Sequence, residues 1–581
     1  MDQASQVREK IDIVALISEY IPLKKMGRNF TTNCPFHNEN SPSFVVSPER
    51  QIWHCFGCGK GGDAFSFLME YENLEFIEAL RILGKKAGIE IKSSGSSFSS
   101  SKKEAIFALN KLASEYYNYV LTKHKVGEKA LEYLLKERGL NEKLIKTFNI
   151  GFSPITGDGL SNYLINKKNF KPVDLVEAGL SFQKGSRTVD FFRGRIMFPL
   201  TDHRSNIVGF SGRSVAGDDF SPKYINTRDT LVYHKGSMFF GLDLAREAIK
   251  KEGFSIVVEG EFDVISAFKE GVANVIALKG TALTENQAQL LSRFAPKVAL
   301  CLDQDSAGMN AMKRSLPVLE KRALQISIID LKEKDPDEAI RNNPVEFKKA
   351  VRDQVEVYDF LINKLTLEND TSSSNGKKNI TDELLPLISS INNEIIKEHY
   401  LKKLSEKIDI SYDAIVREVD KKETETEGKA FVKKQKLNRV DVLEEYLLAL
   451  ILQSTDPRES IIKSKDILTE YKFQIPAIGK IFVEIISVMN AKEFDIKAIA
   501  KNISAELLPV FDKCYLLPLP KFENAIKYDE EIIRVSKDIR VIYLKEKIKE
   551  ISKNLKIKNS DEEIEQMKEE ISTITSALSS S

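Results

Sequence analysis

The chain has 581 residues, 42% of them hydrophobic and 29% charged, with 86 basic against 85 acidic side chains and a net charge of +1. Such a length exceeds what one hydrophobic core organises, so three or four domains are expected, and the balanced charge excludes a chain that is basic throughout. A nucleic-acid surface must therefore be local. Residues 1 to 10 are charged where a signal peptide needs an apolar core, no run approaches the roughly 18 apolar residues of a membrane span, and the cysteines do not suggest a disulfide framework. A cytoplasmic protein with reduced thiols and no membrane association is expected.

In chain order, the first informative stretch is "NCPFHNENSPSFVVSPERQIWHCFGCGKGG", residues 33–62. Cys34-x2-His37 and Cys55-x2-Cys58 form two chelating pairs on either side of a hairpin-length insert, the pattern of one structural, tetrahedral zinc. Phe44, Val45 and Val46 read as a strand, "SPER" as a turn and "QIWHCF" as the returning strand. His54 is left out because Cys55 already completes its pair, and Cys301 and Cys514, which stand alone, read as core filler. Phe44 and Trp53, with Arg50 and Lys60 nearby, either stack on single-stranded bases or form the ribbon's own core. "GDAFSFLMEYENLEFIEAL" then reads as helix, packed on the ribbon through Phe67, Leu68, Phe76 and Leu80.

Composition marks the joints. "SSGSSFSSSKK" at 93–103 reads as a flexible linker, 368–379 as a polar loop and 420–436 as a charged connector. The expected segments are 1–92, a zinc ribbon; 104–252, a basic subdomain; 253–340, a catalytic α/β domain; 341–419, a helical subdomain; and 437–581, a helical domain.

Residues 193–235 carry Arg193, Arg195, Arg204, Arg213, Lys223, Arg228 and Lys235 against four aspartates, a local basic excess suited to a template strand. From Phe254 to Ile340, short apolar runs alternate with amphipathic stretches, as in a parallel α/β sheet. Acidic residues gather where its strands stop: Glu259, then Asp303 and Asp305, then Asp335 and Asp337. Ligands bind at that edge of such a sheet. Asp303 and Asp305, two residues apart in an extended segment, point to one side. Crowded carboxylates call for a divalent cation, and oxygen-only ligation favours Mg²⁺ or Mn²⁺.

"VVEGEFDV", "LDQDSAG" and "KDPDE", in that order, resemble the toprim domain shared by bacterial primases, topoisomerases and some nucleases. With the zinc pattern, "FRGRIMFPLTDHRSNIVGFSGR" and "PKYINT", the chain resembles the bacterial (DnaG-type) DNA primases through motifs over residues 1 to 425, and by domain layout beyond them. The resemblance implies a DNA-dependent RNA polymerase that starts RNA chains de novo on single-stranded DNA from ribonucleoside triphosphates. It places the catalytic glutamate on Glu259, metal-binding aspartates on Asp303 and Asp305, and a second acidic pair on Asp335 and Asp337, with two cations expected. It also places template or nucleotide contacts on Arg138, Arg213, Lys223 and Lys235. Two positions depart from the pattern: Glu261 stands where a Tyr is usual, adding negative charge near the metals, and Gln304 where a Gly is usual. The alternatives are another toprim enzyme, a nuclease or topoisomerase, and a non-catalytic zinc-ribbon adaptor.

No G-x-x-x-x-G-K-[ST] occurs, so the chain lacks a P-loop motor and unwinding falls to a partner. Residues 440–453 and 527–555 have apolar residues at helical spacing. In the primase layout this last domain binds the replicative helicase; a single-stranded-DNA-binding protein is a further expected partner, and a monomer the expected state.

Overall fold

The structure, a computed structural model, describes residues 3–572 except 38, 40, 73, 90, 92–97, 216–221, 281, 428–438, 470, 489–499, 501–502, 505 and 556–570. It divides into two compact units, residues 1–92 together with 432–581, and residues 93–431. The first and last domains expected from the sequence thus form one unit. Among the described residues no helix is long and apolar enough to cross a membrane.

In the first unit, β1 (Lys24–Met26), β2 (Asn29–Thr32), β3 (Phe44–Ser47), β4 (Ile52–Cys55) and β5 (Gly61–Gly62) form an antiparallel meander in that order. Side chains alternate across β3 and β4, so Phe44, Val46 and Trp53 face one way and Val45 and Ile52 the other. The first face packs on α1 (Gln3–Lys10), α2 (Ile13–Ser18), α3 (Ala64–Glu72) and α4 (Phe76–Lys86). This decides the two readings of the aromatics: Phe44 and Trp53 are 0% and 1% exposed and stack on each other at 4.9 Å, so they are core and offer no ring to a base. The single helix expected at 62–80 is two, and Phe76, opening the second, is 40% exposed against Phe65.

The second unit begins with α5 (Phe98–Lys123), so the Ser-rich stretch read as linker is helical from Phe98 onward. The antiparallel sheet β11-β10-β9-β6 follows, built from β6 (Gly151–Ser153), β9 (Arg195–Thr201), β10 (Ile207–Ser214) and β11 (Tyr224–Asn226), with β7 (Ser181–Lys184) and β8 (Arg187–Asp190) pairing separately. After α6 (Leu242–Glu252) comes the second sheet. β12 (Phe254–Val258), β13 (Val275–Ala277), β14 (Lys297–Leu300) and β15 (Gln325–Ile328) are parallel in the order β13-β12-β14-β15, and β16 (Val355–Glu356) closes the edge antiparallel. These strands read as continuous apolar runs because both faces are covered: Val257, Ile276 and Leu300 pack into one core and Ile256, Ala277 and Ala299 into another. The crossovers include α7 (Glu261–Lys269), α8 (Glu285–Ser292) and α9 (Ser306–Glu320), and α10 (Pro336–Asn342) follows β15. Four helices complete the unit: α11 (Val357–Glu368), α12 (Ser374–Ser389), α13 (Glu394–Ile408) and α14 (Tyr412–Glu427). The polar loop expected at 368–379 is thereby reduced to the turn between α11 and α12, and the connector at 420–436 is helical to Glu427, its remainder lying outside the described residues.

The first unit ends in a bundle of α15 (Arg439–Gln453), α16 (Pro457–Ile467), α17 (Pro476–Val488), α18 (Leu508–Leu516) and α19 (Ala525–Leu555). Ile532, Val535 and Ile539 of α19 are fully buried against the preceding helices. Those helices therefore account for the face of α19 that its periodicity marks as covered.

Candidate active site and zinc centre

The zinc ligands converge as their spacing requires. One ligand atom from each of Cys34, His37, Cys55 and Cys58 lies within 4.8 Å of every other. Cys34 Sγ is 3.9 Å from Cys58 Sγ, and Cys55 Sγ is 3.6 Å from His37 Nδ1, edges that suit a tetrahedron with zinc–sulfur bonds of about 2.3 Å. The hydrogen bond between the Cys34 and Cys55 thiols lowers Cys55 and raises Cys34, so the two sulfurs share a proton that a zinc ion would displace. Glu39, which sequence reasoning passed over, binds the backbone N–H of Cys34 at 2.7 Å and of Ser43 at 3.0 Å, and lies 3.2 Å from the other ring nitrogen of His37. A carboxylate there fixes the imidazole's orientation; an acid in the polar run "HNEN" gives no signal of it.

The second site lies where β12, β14 and β15 end. Glu259 follows β12 and accepts the Asp303 N–H at 3.1 Å. Asp305 caps α9 by accepting the Gly308 N–H at 2.8 Å, and Asp335 caps α10 by accepting the Glu338 N–H at 2.8 Å. The Gln304 N–H donates to the Lys334 carbonyl at 2.9 Å, tying the two acidic loops together, so Gln304 keeps the spacing a Gly would give. Gly308 is required for another reason: a Cβ there would sit 2.2 Å from the Asp303 carbonyl oxygen and 3.0 Å from Glu259 Oε1.

Crowding shows in the protonation of these acids. Burial, then the charges of Glu259, Asp335 and Asp305, push the Asp303 carboxyl up to about 7. Burial also raises Glu259, with Asp305 adding to it. Among the described residues, no three of these carboxylate oxygens close to within 4.8 Å, as the zinc ligands do. An all-carboxylate donor set under mutual repulsion fits a hard divalent cation.

Glu261 does not add charge to the metals as expected. Its side chain, 3% exposed, pairs with Lys279, 5% exposed, and the ammonium overcomes burial to hold the carboxyl below its ordinary value. Asp263 was also missed. Buried at the start of α7, it accepts the N–H groups of Gly260 at 2.9 Å and Asp337 at 3.0 Å.

Asp337 departs from its expected role as a cation ligand. Arg138 takes one of its oxygens at 2.6 Å and Ser266 the other at 2.6 Å. Arg138 lies 4.4 Å and Arg213 4.7 Å from the Phe262 ring centroid, and Arg213, at the end of β10, donates to the Tyr224 hydroxyl at 3.2 Å. Burial, then Arg213 and Arg138, lowers Lys223, which also feels Asp335, so these three cations stand beside the acidic loops. Arg195 is a correction: 6% exposed, its Nη1 donates to the carbonyls of Gly212 and Pro222 at 3.1 and 2.9 Å, which holds β10 and leaves that group nothing for a template. Arg193 and Lys235 are exposed. Cys301 and Cys514 are buried, as core filler should be.

Four family models match in succession: CHC2 zinc finger over residues 1–99, DNA primase catalytic core, N-terminal domain over 116–246, Toprim-like over 256–340, and DnaB-helicase binding domain of primase over 358–412. The DNA primase of Listeria monocytogenes is 36% identical over 430 residues, 71% of this chain and 68% of its own. That of Clostridium acetobutylicum is 34% identical over 483 residues, 81% and 80% of the two chains.

The chain belongs to the bacterial DnaG-type DNA primases. The primase of Aquifex aeolicus is similar too, 41% identical over 372 residues, 63% of this chain and 71% of that one. Membership makes the chain an enzyme, a nucleotidyltransferase with DNA-directed RNA polymerase activity, and sets aside the nuclease, topoisomerase and adaptor readings. It has a zinc-binding Cys/His group and a toprim domain for divalent cations. The helicase-binding model falls on α11 to α13 of the second unit and ends where α14 begins, whereas the sequence layout pointed to 437–581 for that role.

Proposed function

We propose that this primase joins ribonucleotides where the strand-end carboxylates Glu259, Asp303, Asp305 and Asp335 face the cations Arg138, Arg213 and Lys223, and that this opposition of charge is the observation that carries the reading. Two Mg²⁺ or Mn²⁺ ions held by the four carboxylates would supply neutralisation of the attacking and leaving oxygens. Glu259, raised by burial and anchored on the Asp303 N–H, is placed to accept the proton of a 3′-hydroxyl. Arg138, Arg213 and Lys223 hold phosphates of the incoming nucleotide, and Arg138 is positioned for this by Asp337 and by the Tyr133 hydroxyl at 2.8 Å. Exposed Arg193 and Lys235 receive the single-stranded template. One zinc maintains the ribbon.

The helicase docks through the bundle at 437–581 or through α11 to α13; the family-model match favours the latter. A single-stranded-DNA-binding protein as partner, a monomeric state and a cytoplasmic location complete the reading, with the segment boundaries given above.

The test is incubation of the zinc-loaded chain with single-stranded DNA, ribonucleotides and Mg²⁺. Short RNA products are expected, and none from Glu259→Gln or Asp303→Asn at unchanged folding. RNA synthesis at near-normal rates by either variant would move the chemistry elsewhere.

A further inference from the structure

The outer face of the zinc ribbon is covered by one helix of the bundle. Leu516, at the end of α18, is 1% exposed and packs with Val45 of β3 and Ile52 of β4, separate from the core of its own bundle. Around this apolar contact the charges are arranged in a specific way. Arg50 Nη2 pairs with Asp512, and the Arg50 guanidinium lies 5.2 Å from the Phe511 ring and 5.5 Å from the Tyr515 ring. Arg28 lies 4.6 Å over the Tyr515 ring and donates to its carbonyl oxygen at 3.4 Å. The Tyr515 hydroxyl donates to Glu49 at 2.9 Å.

A carboxylate on the edge of an arginine and aromatic rings on its face are the same contacts that a phosphate and stacked bases make with arginine in single-strand binding. Two further observations point to such a ligand. Arg50 Nε is buried without a hydrogen-bond partner, so only part of the fork is used, where a phosphate would take both edge donors. Lys24 and Lys25 of β1 are exposed beside Arg28 in the run "KKMGR". Burial pushes the Asp512 carboxyl up, with Arg50 opposing it.

We propose that α18 occupies the outer face of the ribbon as a surrogate for single-stranded nucleic acid, Asp512 standing in for a phosphate and Phe511 and Tyr515 for bases, so that the C-terminal bundle withholds the ribbon from the template until α18 is displaced. The inference goes beyond the reading above, which places the template on Arg193 and Lys235, by giving the ribbon a nucleic-acid surface of its own. It adds that Arg28 and Arg50 serve two mutually exclusive partners.

The test is the affinity of the full-length, zinc-loaded chain for a fluorescent twelve-nucleotide oligo-dT, read by anisotropy. Asp512→Lys sets like charge against Arg50, and Leu516→Glu breaks the apolar contact. If the ribbon is exposed in about one molecule in ten, release tightens binding about tenfold. Adding Arg50→Ala to the Asp512→Lys chain should cancel the gain, and oligo-dT added to the wild type should speed amide exchange over residues 508–516. Asp512, with a side chain 21% exposed, keeps the test readable should Leu516→Glu unfold the bundle. Wild-type affinity in the Asp512→Lys chain, or a gain that survives Arg50→Ala, would overturn the competition. Tighter binding that depends on Arg50, in chains that make no RNA, would leave the competition standing and count against the catalytic reading.

Discussion

Lys279→Met isolates the charge that stands at the departure from the family pattern. Glu261 and Lys279 are 3% and 5% exposed in their side chains, so removing the ammonium leaves a carboxylate in the interior with no cation. Breaking a buried pair from one side costs about 3–5 kcal/mol, whereas replacing both partners by uncharged groups of similar volume costs far less. Lys279→Met should therefore lose about 4 kcal/mol at pH 8, and Glu261→Gln with Lys279→Met under about 2 kcal/mol. The pH dependence follows from the two opposing causes. Burial raises the Glu261 carboxyl and Lys279 overcomes it, holding the folded value below the unfolded one. The wild type therefore keeps this contribution above the unfolded carboxyl's range and loses it only as the pH falls through the depressed value. Without Lys279, burial, the largest of the effects on this carboxyl, is opposed only by hydrogen bonding from Ser211 and the backbone, and the folded value rises above the unfolded one. The variant then binds a proton more tightly folded than unfolded, so its deficit shrinks as the pH falls from 8 toward 5. Urea unfolding of the three chains at both pH values reads this directly. A deficit below about 1 kcal/mol, one that is flat with pH, or a double variant as costly as the single would refute the reasoning.

Cys58→Ala should release the zinc and unfold the ribbon, because structural zinc contributes on the order of 10 kcal/mol to small metal-nucleated folds. Trp53, the chain's one tryptophan and 1% exposed in the ribbon core, reports the change as a red-shifted emission, and native-like emission without zinc would contradict it. Gly308→Ala should cut RNA synthesis about 100-fold by forcing the Asp303 loop from Glu259; a steady-state rate close to wild type would mean that the loop tolerates the methyl group. Lys235→Ala should weaken template binding and reduce the slope of log affinity against log salt by about 1, with an unchanged slope removing Lys235 from the interface.

The zinc site was legible because its ligands are local pairs, and spacing alone brings Cys34, His37, Cys55 and Cys58 together. The strand-end acids were legible for a related reason: a parallel sheet sends Glu259, Asp303 and Asp335 to one edge whatever the details of packing. What failed depended on direction or on distant partners. The sequence of β3 and β4 alternates, yet both faces carry apolar residues, so nothing local says that Phe44 and Trp53 turn inward. Arg195 and Asp337 look like surface charges until their partners, the carbonyls of Gly212 and Pro222 and the guanidinium of Arg138, are in place. Glu261 read as excess negative charge because Lys279 lies across a helix and on another strand's end. The Arg50–Asp512 contact joins residues from opposite ends of the chain, beyond the reach of any periodicity.

The division of the first unit between the two ends of the chain has a consequence for synthesis. Val45 and Ile52 leave the ribosome before the second unit and Leu516 after it, with the whole second unit made in between. At about 5–20 residues per second, the nascent ribbon waits on the order of half a minute or longer for the helix that will cover it. Through that interval an apolar patch flanked by arginines is open to the cell, and any chaperone or polyanion that shields it acts as a placeholder for α18.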